Sequence, residues 1–326
     1  MSPVVSREVE SDYAALTQGG GVASLGPRTQ VEFTGRDRAT FLHGLCTNDI
    51  KRLAPGGGCE MFLTNVQGRT VGYGYVFHGA ESLVLETSPG QAESICAGLG
   101  RYIIREDVRL HDRSQQWSEL VLAGPEAERC LRQAFSSEVP GAPLSHVEVR
   151  TAEGPLSIRR VPFLGPTCFF IACGREAERA ASAALQAAGA AACGGALEIA
   201  RVETGSPLFG VDITSANLPQ EVARDDRAIS FKKGCYLGQE TVARLDALGH
   251  VNWRLAGLRF AGQNVPAAGT EIEGDGKVVA RVTSAVWSLR LGAPLALAYV
   301  RRGQERAGHA FDSPFGRAEV VALPLS

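Results

Sequence analysis

The sequence has no Cys-x-x-Cys, no His-x-His and no His-x3-His. A zinc ribbon, a redox dithiol and a His-based mononuclear metal site are therefore not written into it. Its eight cysteines (Cys46, Cys59, Cys96, Cys130, Cys168, Cys173, Cys193 and Cys235) are scattered, unlike a disulfide scaffold, and most read as small buried hydrophobes. No charge of one sign dominates: 33 Lys and Arg face 35 Asp and Glu, so the basic excess that neutralises nucleic-acid phosphates is missing and no direct nucleic-acid partner is expected. Long Leu/Ile/Val runs are also missing. The longest uncharged stretch, Ala180 to Leu197, is mostly Ala and reads as a helix in water rather than a membrane span. The start of the chain carries Glu8, Glu10 and Asp12 with no apolar segment, which argues against a secretory or transit peptide and for a cytoplasmic location. Gly19 to Gly21 and Gly56 to Gly58 lack the Lys-Ser/Thr of a phosphate-binding loop, and no Gly-x-Gly-x-x-Gly opens a helix.

At 44% hydrophobic and 21% charged residues over 326 positions, the chain can bury more than one core. Val31 and Phe33 alternate as a strand, and Asp37 can cap a helix carrying Phe41, Leu42 and Leu45 on one face. Met61 to Leu63 and Val71 to Phe77 form a hairpin about Asn65 to Gly68, followed by a strand at Leu83 to Leu85 and a helix from Pro89 to about Tyr102. A second block reads strand (Leu120 to Ala123), helix (Pro125 to Phe135), three strands (Val147 to Val149, Leu156 to Ile158, Phe169 to Ala172) and an Ala-rich helix from Glu176. Strands and helices mix without strict alternation, which predicts an α+β fold. A helix over Leu197 to Glu203 is stopped by Gly205 and Pro207. From about Gly249 short strands predominate: Leu255 to Phe260, Thr270 to Ile272, a turn at Gly274-Asp275-Gly276 into Val278 to Val282, then Ala296 to Val300, as in a small β-barrel.

The densest chemical signal is Lys232-Lys233-Gly234-Cys235-Tyr236-Leu237-Gly238-Gln239-Glu240, running on to Arg244. Two lysines beside a thiol favour its thiolate, and a helix opening near Gln239 adds its positive end. The competing reading is a buried cysteine in a loop with solvated lysines.

Lys233-Gly-Cys-Tyr-x-Gly-Gln-Glu-x-x-x-Arg244 resembles the signature of the YgfZ family, folate-binding proteins that support iron–sulfur cluster assembly and repair and are related to the T-protein of the glycine cleavage system. The resemblance extends to Phe33 through Asp49, Leu63 to Arg69, Arg201 to Pro207, Leu218 to Glu221, Gly276 to Ser284 and Leu295 to Arg301, and only in outline to Ala80 to Gly195. It implies a three-domain fold about a central cavity. Residues 1–115, completed by 196–248, would form the folate-binding domain, residues 116–195 an inserted α+β subdomain, and residues 249–326 the C-terminal barrel. It also implies that Glu203 receives the pterin, whose parallel N–H donors suit a bidentate carboxylate, and that Asn48, Asn65, Arg69, Tyr236 and Gln239 line the same cavity. Read from the residues alone, Glu203 is an exposed helix-end carboxylate near Arg201, Asn48 and Asn65 are cap or turn residues, and Tyr236 is a core aromatic.

Two functions follow from this resemblance. In one, the protein is a tetrahydrofolate-binding accessory factor for iron–sulfur enzymes, including those of tRNA modification, with Cys235 and Lys233 reactive. One cysteine cannot hold a cluster, so any cluster would be shared with an assembly or client protein. In the other, it is a T-protein-like aminomethyl or one-carbon transferase. That reading needs a carboxylate, and the T-protein's paired aspartates are missing at Arg69-Thr70-Val71, which leaves Glu93 as the substitute. The first reading expects Glu203 and Cys235 to face one central cavity; in the second the cysteine is incidental.

Overall fold

The computed structural model describes residues 5–249, 251–274 and 276–325. The chain begins with helix α1 (Arg7–Gln18), strands β1 (Gly21–Gly26) and β2 (Thr29–Thr34) and helix α2 (Arg38–His43). Strands β3 (Gly58–Thr64), β4 (Thr70–His78) and β5 (Leu83–Thr87), helix α3 (Ala92–Gly100), and strands β6 (Arg109–Asp112) and β7 (Trp117–Ala123) follow. Next come helix α4 (Ala127–Phe135), strands β8 (His146–Thr151), β9 (Gly154–Arg160) and β10 (Cys168–Gly174), helix α5 (Glu178–Ala187) and the short strand β11 (Ala191–Ala192). Helices α6 (Leu197–Thr204), α7 (Asp225–Ala228) and α8 (Gln239–Leu248) precede strands β12 (Trp253–Phe260), β13 (Glu271–Gly274), β14 (Lys277–Ser288), β15 (Ala293–Arg301), β16 (Ala310–Phe311) and β17 (Ala318–Val321).

These strands form three sheets, ordered β3-β4-β5-β2-β6, β11-β1-β7-β10-β9-β8 and β13-β14-β15-β12-β17-β16. The α+β class is therefore observed, and the third sheet is the expected C-terminal barrel, with β12 pairing antiparallel to both β15 and β17. Asp275 of the expected barrel turn lies outside the described residues, while Gly274 pairs with Lys277 across it. Residues 197–228 run among all three layers: α6 packs on β14 and α1, the 3-10 turn Pro219–Val222 on β12, and α7 on β3.

Two local expectations change. The Ala180 to Leu197 run is not one helix: α5 ends at Ala187, Gly189 takes φ +94°, and Ala191 and Ala192 pair in parallel with β1. Poly-Ala favours helix, but a glycine in left-handed backbone ends it and leaves the rest free to add a strand to a sheet edge. The N-terminal α1 and β1 carry no clear periodic signal. By pairing, β1 joins β7 and β11, so this stretch of the first block completes the sheet of residues 116–195.

The first two sheets meet across a buried charge cluster. Arg159 on β9 reaches Gln30 (3.0 Å), Glu119 (3.3 Å) and Glu86 (3.4 Å), and Arg28 reaches Glu86 (2.8 Å) and Glu119 (3.3 Å). Both glutamates are fully buried, and the guanidinium groups stack on Phe77 and Phe170 at 4.8 and 5.4 Å. Desolvation, followed by the charge of Glu86, pushes the Glu119 carboxyl well above the usual carboxylate range, and the arginines oppose it. Arg159→Leu should cost about 3–5 kcal/mol in denaturant unfolding at neutral pH, because it leaves buried carboxylates short of a cation. A loss below about 1 kcal/mol would show that Arg28 alone compensates them.

Candidate functional site

The Lys233 motif is laid against the first sheet by backbone pairing. Thr47 anchors the chain before it, donating from its hydroxyl to Ala228 O (2.6 Å) and accepting Ser230 N–H at its carbonyl (2.9 Å). Further on, Leu237 N–H donates to Gly44 O (2.9 Å), and Thr64 donates to Leu237 O (2.5 Å). Gly238, at φ +79°, lies so close to the hairpin turn that a Cβ would sit 2.3 Å from Asn65 O. Opposite it, a Cβ on Gly68 would meet Thr241 at 2.7 Å. Gly238 thus permits a close approach to another turn of the protein itself.

Within this segment Lys233 is buried, and its ammonium donates to the carbonyls of His43 (2.5 Å), Cys46 (2.7 Å) and Asn48 (2.8 Å). It also lies 4.9 Å from the centre of the Tyr236 ring. An ammonium has three donors, so its hydrogen bonds are filled by the turn after α2. Desolvation lowers its pKa, opposed by the nearby Cys46 and Asp49. The three donors of Lys233 are thus committed to the fold, and of the two lysines before Cys235 Lys232 alone is exposed. Cys235 is exposed, the one cysteine of the eight that is. Burial pushes other thiols up, Cys46 to about 11 and Cys193 to about 12.

Tyr236 is buried among Phe62, Tyr73, Val202 and Val222, so it is core as well as a cation–π partner. Gln239 opens α8 and accepts Tyr236 N–H at 3.3 Å. Asn48 donates to the carbonyls of Glu60 and Arg227, each at 2.8 Å, tying β3 to α7. Asn65 accepts the N–H groups of Gln67 (3.0 Å) and Arg69 (2.9 Å) inside its own turn, and Arg69 donates to Ala216 O. All five are therefore engaged in packing or hydrogen bonds within the protein, and none lines a cavity at Glu203.

Glu203 occupies a different place. Gly205, at φ +74°, caps α6 as the sequence predicts. Arg201 turns to the barrel, bonding Asp212 (2.8 Å) and Ser284 (2.7 Å), which fixes the helix against β14. That leaves Glu203 on another side of α6, 5% exposed. Its Oε2 accepts the Tyr13 hydroxyl (2.6 Å), and its Oε1 accepts Ser288 Oγ (2.6 Å) and Arg290 N–H (3.3 Å). Burial, with Glu203 behind it, raises the Tyr13 phenol to about 12, so it stays a donor at neutral pH. Tyr13, Ser288 and Arg290 come from the N-terminal helix and the barrel, and sequence reading did not find them.

Glu203 and Arg290 line a cavity of about 360 Å³. A neighbouring cavity of about 550 Å³, carrying Arg224 and Arg227, shares Gly165, Pro166, Thr204 and Pro324 with it. No residue of Lys233 to Arg244 lines either one, so the single space expected for Glu203 and Cys235 is not formed by these cavities. Glu93 is exposed on α3 and lines neither. Among the described residues no cluster of three or more His, Cys, Asp or Glu could hold a metal, and no helix is long and apolar enough to cross a membrane.

The fold, two α+β sheets followed by a C-terminal barrel, is that of the glycine cleavage T-protein architecture. Residues 2–233 match the GCVT N-terminal domain and residues 254–325 the glycine cleavage T-protein C-terminal barrel domain, and the chain belongs to the glycine cleavage T-protein family. It is 29% identical over 334 residues to an aminomethyltransferase of Herpetosiphon aurantiacus, covering 99% of this chain and 91% of that one. An aminomethyltransferase of Geobacillus kaustophilus is 26% identical over 335 residues, covering 99% and 92%. The crystal structure of glycine cleavage system aminomethyltransferase T from Bartonella henselae shares the fold, with a TM-score of 0.87 at 19% identity over 99% of this chain and 91% of that one.

Lys233→Met keeps the apolar stem but strips three buried carbonyls of their donor. It should destabilise the protein by about 3 kcal/mol or more, since hydrogen bonds to charged groups contribute about 1.5–3 kcal/mol each but are not additive. Unfolding curves at pH 7 measure this, and an unchanged midpoint would return Lys233 to a chemical role.

Proposed function

We propose that this protein binds a reduced folate, with Glu203 receiving the pterin, and acts on the one-carbon unit that the folate carries. The observation behind this is a buried carboxylate at the end of α6, at the wall of a cavity with room for a bicyclic ring, in a family whose relatives include aminomethyltransferases. A reduced folate supplies ring nitrogens that carry the one-carbon group. Glu203 would orient the ring, and Arg290 and Arg227 offer cations along the two adjoining cavities for the glutamate tail, whereas the buried Arg224 is taken by Glu60.

A carboxylate has about four lone-pair sites. Three of those on Glu203 are already taken, by Tyr13, Ser288 and the Arg290 backbone. A bidentate pterin needs a free site on each oxygen, and Oε1 already accepts two donors, so the Ser288 hydroxyl or the Arg290 N–H must give way. Ser288→Ala, which frees a site on Oε1, should therefore tighten tetrahydrofolate binding several-fold, while Glu203→Gln should weaken it about ten- to a hundredfold, the loss of one charged hydrogen bond. Calorimetry on the three proteins decides: equal affinities throughout would remove Glu203 from the folate site.

The resemblance to YgfZ supports a second reading, in which folate binding accompanies a role in iron–sulfur assembly through Cys235. What favours it is that Cys235 is the one thiol open to partners, while neither the residues at Arg69-Thr70-Val71 nor the exposed Glu93 puts a carboxylate into the cavities at Glu203. Any cluster held there would be shared with a partner protein. Cells lacking the protein, complemented with Cys235→Ser or Glu93→Gln, separate the two readings. Loss of cluster-enzyme activity with Cys235→Ser alone supports the thiol role, whereas full rescue by Cys235→Ser and failure of Glu93→Gln leaves one-carbon transfer.

A further inference from the structure

A third cavity, of about 560 Å³, opens between the first two sheets, away from Glu203 and Cys235. Strand register builds both of its walls. Phe77 pairs with Val84, and Val84 with Glu32, so these three form a row across β4, β5 and β2. Facing them, Ala172 pairs with Ser157 and Ser157 with Glu148, a row across β10, β9 and β8. Small residues keep the space open: Gly154 and Gly174 line it, and a Cβ at either would touch nothing within 4 Å. Trp117 lines one side of it.

Its polar groups are of one sign. Arg159 is the one cation lining it, and that charge is matched by Glu86 and Glu119. Glu81, Glu148 and Glu153 line it with no Lys or Arg partner among the described ion pairs, and Glu32 is held by Arg113 at 2.9 Å. His146, with its side chain 4% exposed, lies edge-on to Phe77, and its Nδ1 has no hydrogen-bond partner. Desolvation, then the charge of Arg159, lowers His146 to about 4, so it is neutral at pH 7 and adds no positive charge.

We propose that this cleft is a second ligand site, taking a small organic cation: a protonated amine on an aromatic or other apolar body. The apolar part would lie among Phe77, Val84, Ala172 and Trp117, and the ammonium would sit towards Glu148 and Glu153 at the rim, where the unpaired carboxylates make the field negative. An anion of the same shape would be repelled. The site is independent of the folate reading, since it shares no residue with the cavities at Glu203.

The test is calorimetric titration of the intact protein at pH 7.5 with 2-phenylethylamine and, separately, with its anionic counterpart 3-phenylpropionate. We expect saturable binding of the amine, shift of the Trp117 indole NMR signal, and at least about a tenfold preference over the acid, a difference of ~1.4 kcal/mol. Both mutated positions are exposed, so the double variant Glu148→Gln/Glu153→Gln should fold normally and lose about tenfold in amine affinity. Equal binding of amine and acid, no saturation by the amine, or an unchanged affinity in the double variant would each overturn the proposal. Glu203→Gln should leave amine binding untouched, and a loss there would locate the amine in the other cavities.

Discussion

Glu86 and Glu119 come from different sheets yet share one pair of guanidinium groups, Arg28 and Arg159, in a place water does not reach. Each ion there is expensive to desolvate, so the sheets are held at the one separation and rotation that lets every charge find its partners. The rest of the architecture takes its bearings from that contact. With the first two sheets fixed, the 197–228 segment can thread among them and the barrel, and α6 can be set by Arg201 on β14 with Glu203 directed elsewhere.

The same logic of buried charge governs the conspicuous motif. In sequence, Lys233 stands two residues from a cysteine, and proximity along the chain suggests that one tunes the other. In space the ammonium is drawn to three carbonyls that have lost their water, a stronger demand than that of a thiol in solvent. Tyr236 and Gly238 serve the same attachment, one by packing under the ammonium and the other by letting two turns touch. The outcome is a rigidly seated loop that presents one thiol outward.

What could be read from the residues was local. The hairpin of β3 and β4, the barrel strands and the Gly205 stop of α6 each depend on neighbours within a few positions, and they stand where the pattern put them. What could not be read was non-local. Glu203 looks like an exposed helix end because Tyr13 and Ser288, which bury its oxygens, lie 190 and 85 positions away. The placement of β1, and of Ala191 and Ala192 beside it, arises in the same way, from contacts that no periodicity encodes.

The pairing of β1 has a consequence for how the chain is made. Its antiparallel neighbour β7 begins about ninety residues later, and its parallel neighbour β11 is later still. During synthesis at about 5–20 residues per second, β1 therefore waits on the order of ten seconds with both edges unsatisfied, while β2 to β6 are still assembling beside it. Unpaired strand edges invite foreign strands. The brevity of β1 and the α1 helix just ahead of it, which packs on the same strand, limit that exposure until the ribosome delivers the partners.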